Sequence, residues 1–237
     1  MTASRLVCLV SGGMDSLVSM ASQIQDPQNT FMLHGSYGQK THQKEQASFM
    51  SIGDHYKIPK KNRRIIDFAF LKEIGGSSLT DDSIRVKTNQ MSHDTNNHDS
   101  VVPDSYVPFR NSILLSFAVS WAEVLGAKKI TIGAVFEDSS GYPDCRPNYF
   151  KAFNELIKLG TVKGDIEIVT PVINYSKADI VKYAEQLQAP LELTWSCYAR
   201  MDLSCGECDS CILRLRGFER AGIIDPLPYV KRPKNLL

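Results

Sequence analysis

Two stretches of this chain carry residue types that could do chemistry. The first is Ser11-Gly12-Gly13-Met14-Asp15-Ser16. Adjacent glycines let a backbone approach a ligand closely with its amide hydrogens exposed. The serines add hydroxyl donors. An apolar run precedes the loop and an apolar-periodic run follows it, so the loop opens a helix. A helix N-terminus favours phosphate. Asp15 is unwelcome beside phosphate unless it also helps hold Mg²⁺ or caps the helix. The loop is not a Walker loop, which needs a lysine, nor a dinucleotide G-x-G-x-x-G. A plain strand-to-helix turn with a serine cap is the simpler alternative; both serines, the aspartate and the strand–helix context argue against it.

The second stretch is Cys205-x-x-Cys208-x-x-Cys211, with Cys197 upstream. Clustered cysteines in a cytosolic chain suggest metal before disulfides. Four thiolates fill a tetrahedral zinc shell and leave no open position, so the metal would be structural and pin the C-terminal segment. An iron–sulfur cluster is the rival, because C-x-x-C-x-x-C also occurs in ferredoxins. Zinc is favoured: the fourth ligand lies upstream and no Cys-Pro follows.

Other candidates depend more on context. Gly141 to Pro147 crowds turn formers, Asp144, Cys145 and Arg146 before a helix. A loop at the C-terminal end of a strand in an active site looks like this, and so does a well-capped surface turn. A lone cysteine such as Cys145 is more often small packing than a nucleophile. Arg110 could clamp a carboxylate or phosphate; a surface ion pair is the equal alternative. Lys177 opens a helix against the helix dipole. A bound phosphate would explain it, although a solvated lysine is the commoner case. His93 and His98 read as solvated.

These residues need a scaffold, and the pattern supplies one. Arg5 to Val10 reads as a buried strand, followed by a helix to about Gln25. Further strands are expected at 31–33, 64–68, 129–135 and 166–170. Helices are expected over 39–55, 111–125, 147–160 and from Ser176 to about Gln188, the last with a capping box at Asp179. The helix at 111–125 is apolar on most of its surface, which predicts burial against the sheet and a neighbour, or a subunit contact. Alternating strands and helices of these lengths predict an α/β fold, a mostly parallel sheet with helices on both faces. The polar stretch 75–105 interrupts the pattern and reads as a loop or lid. The expected division is 1–190 for the α/β domain and 191–237 for a metal-binding segment.

Composition bounds the function. The chain has 237 residues and a formal net charge of +1. No strong field pulls nucleic acid or an anionic membrane toward it. No run approaches the ~18 apolar residues of a membrane span. The first apolar run is too short for a signal-peptide core. A cytoplasmic protein without stable nucleic-acid or membrane partners is the expectation.

Taken together, the motifs SGGMDS (11–16), YGQK (37–40), VPFRN (107–111), SGYPDCRP (140–147), SKADI (176–180), TWSCY (194–198) and CGECDSCILR (205–214) match one family almost end to end. The chain resembles the 7-cyano-7-deazaguanine synthases of the queuosine precursor pathway, within the N-type ATP pyrophosphatases. The resemblance implies a Rossmann-like, adenine nucleotide alpha hydrolase-like fold and a homodimer. It implies that ATP, with Mg²⁺, adenylates 7-carboxy-7-deazaguanine, that ammonia attacks to give the amide, and that a second activation of the amide oxygen allows dehydration to the nitrile. Carried over, Val10, Ser11, Gly12, Gly13, Asp15 and Ser16 bind ATP, and Cys197, Cys205, Cys208 and Cys211 bind Zn²⁺. Asp15, Arg110, Asp144, Arg146 and Lys177 form the expected catalytic set, with Arg110 or Arg146 for the carboxylate and Asp144 for a base edge or metal. Ser36 stands where the family usually has aspartate, and Phe109 where it has a small residue. The spacing from Cys197 to Cys205 is also shorter than in many members. Three other readings stay open: a paralogue that passes the activated acid to another amine, such as one on a protein; a tRNA thiolase or amidotransferase with the same ATP loop, for whose sulfur-carrying cysteine or glutaminase domain this length leaves little room; and a non-catalytic nucleotide- and zinc-binding module.

Overall fold

The computed structural model describes residues 4–81, 83–86, 102–136 and 142–233. Five short strands pair in parallel: β1 (Leu6–Leu9), β2 (Thr30–Ser36), β3 (Arg63–Asp67), β4 (Lys129–Ile132) and β5 (Glu167–Val169). Their order across the sheet is β3-β2-β1-β4-β5. Leu6 of β1 is in register with Thr30 on one side and Lys129 on the other. A central strand covered on both faces needs a continuous apolar run, and Leu6-Val7-Cys8-Leu9 is one, buried throughout.

Among the described residues the α-helices are α1 (Met14–Ala21), α2 (His42–His55), α3 (Phe70–Ile74), α4 (Arg110–Leu125), α5 (Pro147–Gly160), α6 (Lys177–Gln186) and α7 (Asp209–Ala221). Strand alternation divides the core. Cys8 and Val10 face Leu17 of α1, Phe49 of α2, Ile180 of α6 and Phe218 of α7. Val7 and Leu9 face Leu115 and Ala118 of α4 and Phe150 and Ile157 of α5. Helices therefore cover both faces, as the alternation of elements implies. From β1 the chain runs outward to β3, then returns to β4 on the other side. This reversal makes the carboxyl ends of β1 and β4 the switch point, where open α/β sheets bind ligands.

Local chemistry sets the boundaries. Ser176 Oγ accepts the Asp179 N–H at 3.2 Å while Asp179 Oδ2 accepts the Ser176 N–H at 3.1 Å, the capping box expected from the spacing. α1 ends at Ala21, short of Gln25, and a separate turn starts at Asp26, whose side chain accepts the Gln28 N–H. β4 ends at Ile132, short of Val135, where Gly133 passes against the start of α1. α4 is less buried than its composition suggests. Leu115, Ala118 and Ala122 face the core, whereas Val124 is 86% exposed and Phe117 is also exposed.

Of the expected lid at 75–105, residues 82 and 87–101 lie outside the described residues. Its flanks are fastened: Ser77, Ser78 and Thr80 are buried, and the Ser78 N–H donates to the Asp104 carbonyl at 2.8 Å. At the far edge, the Asn154 carboxamide bonds both outward-facing backbone groups of Ile168. It donates to the carbonyl at 3.1 Å and accepts the N–H at 2.8 Å. No described helix is long and apolar enough to cross a membrane.

Candidate nucleotide site and cysteine cluster

A cavity of about 240 Å³ opens over the carboxyl ends of β1, β2 and β4. Its floor is the loop between β1 and α1. Gly12 takes φ +92°, a conformation only glycine adopts freely, and a Cβ there would lie 2.7 Å from the Glu45 carbonyl oxygen. Gly13 is the N-cap of α1 and has no side chain to cap the helix, so the positive end of α1 is left for a ligand. Ser16 Oγ donates to the Gly13 carbonyl at 2.8 Å and accepts the Ser11 N–H at 3.2 Å. The Gly13 N–H donates to Ser11 Oγ at 3.2 Å. The two serines thus fold the loop around its own amides. Val10, Ser11, Gly13, Asp15 and Ser16 all line the cavity. Gly133, at the end of β4, is what lets α1 approach: a Cβ there would sit 2.5 Å from the Asp15 carbonyl carbon.

Asp15 and Lys177 come together across the cavity. Lys177 Nζ donates to Asp15 Oδ2 at 2.6 Å, with side-chain exposures of 14% and 29%. Asp15 Oδ1 is buried without a hydrogen-bond partner. An unsatisfied carboxylate oxygen beside a helix N-terminus has the chemistry of a hard-cation ligand.

The opposite wall is built on Arg110. It opens α4, and Nη1 donates to the Tyr37 hydroxyl at 2.9 Å while the guanidinium stacks 5.2 Å from the Tyr37 ring centre. Burial opposes the Arg110 charge, but Tyr37, Tyr142 and Asp144 outweigh it and raise its pKa. Burial pushes Tyr37 up to about 12, against the pull of Arg110, and raises Tyr142 and Tyr198 as well. This wall therefore offers a cation among neutral hydroxyls.

Asp144 sits behind the wall rather than in it. It is 3% exposed, and Oδ2 accepts the Asn111 N–H at 3.0 Å, at the first turn of α4. Asn111 Nδ2 donates back to the Asp144 carbonyl at 3.0 Å and to Cys145 Sγ at 3.4 Å. The sequence motifs at 107–111 and 140–147 are thus clamped to each other. Burial raises the Asp144 pKa, while the Asn111 N–H and Arg110 lower it. Arg146 is exposed at the N-cap of α5 and does not line the cavity. Of the departures from the family pattern, Ser36 is buried at the end of β2 and Phe109 points outward, 64% exposed; neither lines the cavity. Phe109 takes φ +59°, a left-handed conformation that costs any residue with a Cβ energy and that glycine alone adopts freely.

Residues 194–211 close the remaining side. The sulfurs of Cys197, Cys205, Cys208 and Cys211 lie within 4.8 Å of one another. A tetrahedron of ~2.3 Å metal–sulfur bonds places sulfurs ~3.8 Å apart; Cys205 and Cys211 are 3.8 Å apart. Backbone N–H groups of Ala199 and Cys205 point at Cys197 Sγ, each at 3.4 Å, and the Cys208 N–H points at Cys205 Sγ at 3.2 Å. Hydrogen bonds from the Cys208 and Cys211 thiols and from those amides pull Cys197 far below the usual thiol range against burial. The donor set suits a single metal ion. Beneath it, Arg214 and Asp225 form a buried two-bond pair, Nε to Oδ2 at 2.8 Å and Nη2 to Oδ1 at 3.0 Å. Arg214 Nη1 also reaches Thr194 Oγ1 at 2.6 Å.

Sequence spacing pointed to the loop, the cysteines, Arg110 and Lys177. It did not single out Tyr37, Gly133, Trp195 or Arg214. Tyr37, Trp195 and Arg214 stand inside matched motifs, which was the only available signal; Gly133 had none.

A parallel sheet with helices on both faces and an uncapped glycine–serine loop at its switch point defines an α/β protein of the Rossmann-like class. Over residues 5–222 the chain matches the family model of the queuosine biosynthesis protein QueC, and it belongs to that family. It is 53% identical to the 7-cyano-7-deazaguanine synthase of Chloroherpeton thalassium over 234 residues, covering 98% of this chain and 100% of the relative. It is 48% identical to the enzyme of the same name from Koribacter versatilis over 230 residues, covering 96% and 94%. The solved structure of NMN synthetase from Francisella tularensis superposes with a TM-score of 0.48 at 14% identity, covering 94% of this chain and 79% of that one.

Proposed function

We propose that this chain converts 7-carboxy-7-deazaguanine, ATP and ammonia into 7-cyano-7-deazaguanine. The substrate carboxylate attacks the α-phosphorus of ATP and pyrophosphate leaves. Ammonia displaces AMP from the acyl-adenylate to give the amide. The amide oxygen then attacks the α-phosphorus of a second ATP and a second pyrophosphate leaves; loss of AMP together with the two nitrogen-bound protons gives the nitrile. Positioning and electrostatic stabilisation carry both activations.

The observation that carries this reading is the Arg110 guanidinium and the open N-terminus of α1 facing one cavity. In this assignment Ser11, Gly13, Ser16 and the α1 amides take the ATP phosphates. Asp15 holds Mg²⁺ through its free Oδ1, and Lys177 exchanges Asp15 for phosphate. Arg110, not the exposed Arg146, takes the carboxylate. Asp144 fixes the start of α4 and so orients Arg110. Bound at Cys197, Cys205, Cys208 and Cys211, zinc would supply cross-linking and no catalysis, since the thiolates fill its shell. Four sulfurs this close suit one ion better than a cluster in which each thiolate holds a different iron. The reading includes a homodimer in the cytoplasm without stable nucleic-acid binding, and a 1–190 catalytic domain with a 75–105 lid and a 191–237 zinc segment.

The test incubates purified protein with 7-carboxy-7-deazaguanine, ATP, Mg²⁺ and ammonium and follows products by mass spectrometry. The nitrile is expected. Acyl-adenylate accumulating despite excess ammonium would favour transfer to another amine. Absence of any nucleotide turnover would sink the enzymatic reading.

A further inference from the structure

Trp195 touches both the nucleotide loop and the cysteine cluster. Its backbone N–H donates to the Gly12 carbonyl at 2.9 Å. Its indole Nε1–H donates to the Cys197 carbonyl at 3.0 Å. The ring is 5% exposed and packs against Cys197, Cys208 and Cys211, with Lys44 Nζ 4.7 Å above it.

The contact to Gly12 has leverage. The Gly12 carbonyl and the Gly13 N–H belong to one planar trans peptide, so fixing the direction of one fixes the other. Flanked by two glycines, this peptide has little intrinsic preference for orientation. Two contacts supply it: Ser11 Oγ accepts the Gly13 N–H from within the loop, and the Trp195 N–H holds the Gly12 carbonyl from the cysteine side. Residues 194–197 are anchored in turn from the far side, by Arg214 on Thr194 and by Cys197 within the cluster.

We infer that Trp195 is a positioning residue through which a metal at the four cysteines orients the Gly12–Gly13 peptide, so that metal occupancy and nucleotide affinity are coupled. This rests on the reading that residues 11–16 bind ATP and that the cysteines bind zinc. Coupling between two binding sites is reciprocal: whatever factor zinc adds to nucleotide affinity, nucleotide adds to zinc affinity.

The experiment uses the zinc-loaded full chain. Binding of α,β-methylene-ATP with Mg²⁺ is measured by calorimetry, and zinc affinity by competition with a chelator, with and without saturating analogue. Zinc should bind about fivefold or more tightly when the analogue is present, the lower end of measured couplings. Trp195→Phe keeps the backbone N–H but loses the indole bond to Cys197. It should retain one equivalent of zinc and the parent circular dichroism, yet lose most of that gain. Equal zinc affinity with and without analogue overturns the inference, as does undiminished coupling in a folded Phe variant. Because the parent alone gives the first result, a misfolded variant does not spare the inference. Failure of the analogue to bind at all brings down both this inference and the assigned function; independent binding of analogue and zinc brings down this one alone.

Discussion

Gly133→Ala is a one-carbon perturbation with a calculable consequence. The new Cβ would lie 2.5 Å from both the Asp15 carbonyl carbon and the Ser16 nitrogen, where ordinary contact begins near 3.4 Å. Both neighbours are backbone atoms in the first turn of α1, so no side chain can swing aside. The end of β4 and the start of α1 must therefore part by about 0.9 Å. Residue 133 carries no positive φ, so the cost is one of space alone. Overpacking of this kind destabilises by about 1–3 kcal/mol, and the chain should still fold. The functional effect should be larger in proportion. The displaced segment carries Asp15, Ser16 and the α1 amides, and a ~1 Å misplacement of reacting groups costs roughly 100-fold. The assay is pyrophosphate release against ATP concentration, with urea unfolding alongside. Gly160→Ala, which meets nothing within 4 Å, serves as control and should match the parent. If Gly133→Ala folds and its kcat/KM stays within a few-fold of the parent, the close approach at the switch point does not organise the nucleotide loop.

Three further outcomes are expected. Asp15→Ala should abolish turnover while leaving the urea midpoint close to that of the parent; retained turnover would remove Asp15 from the reaction. Arg214→Met strands the buried Asp225 carboxylate and should cost about 3–5 kcal/mol by urea unfolding, with Arg214→Met/Asp225→Leu recovering much of the loss; a single-variant cost near zero would show that the pair is dispensable. His34 is buried, with Nδ1 3.0 Å from the Val10 carbonyl, and burial lowers its pKa below 6.5. The unfolded chain therefore takes up this proton first as pH falls, so the neutral His34 stabilises the fold above pH 6.5, and that stability is lost as pH drops from 6.5 toward the folded pKa. His34→Asn should flatten this part of the stability–pH curve, and an unchanged slope would assign the acid sensitivity elsewhere.

Local signals in the sequence matched the structure where the physics is local. The capping box at Ser176 and Asp179, Pro147 at the first turn of α5 and the apolar β1 run depend on residues a few positions apart, and all are present. The bends at Gly12 and Gly13 belong to the same class. What escaped depends on contacts between distant segments. Gly133 looks like any glycine after a strand until α1 is seen against it. Tyr37 and Arg110 meet only because β2 ends and α4 begins on the same side of the sheet. The Asn111 N–H that holds Asp144 Oδ2 comes from a segment 33 residues away, so sequence could not show that contact. In α4 apolar composition reports capacity for burial: Leu115, Ala118 and Ala122 meet the core, while Val124 and Phe117 are apolar on the face turned away from it.

The Asn154 carboxamide bears on how this protein behaves in crowded solution. A side-chain amide that fills both outward-facing groups of Ile168 imitates the strand that is not there. Another chain adding to this margin would have to displace two hydrogen bonds before making its own. Exposed sheet margins are the usual template for intermolecular β-pairing. One asparagine, held on α5, thus covers at Ile168 the outer backbone of β5, the shortest strand among the described residues.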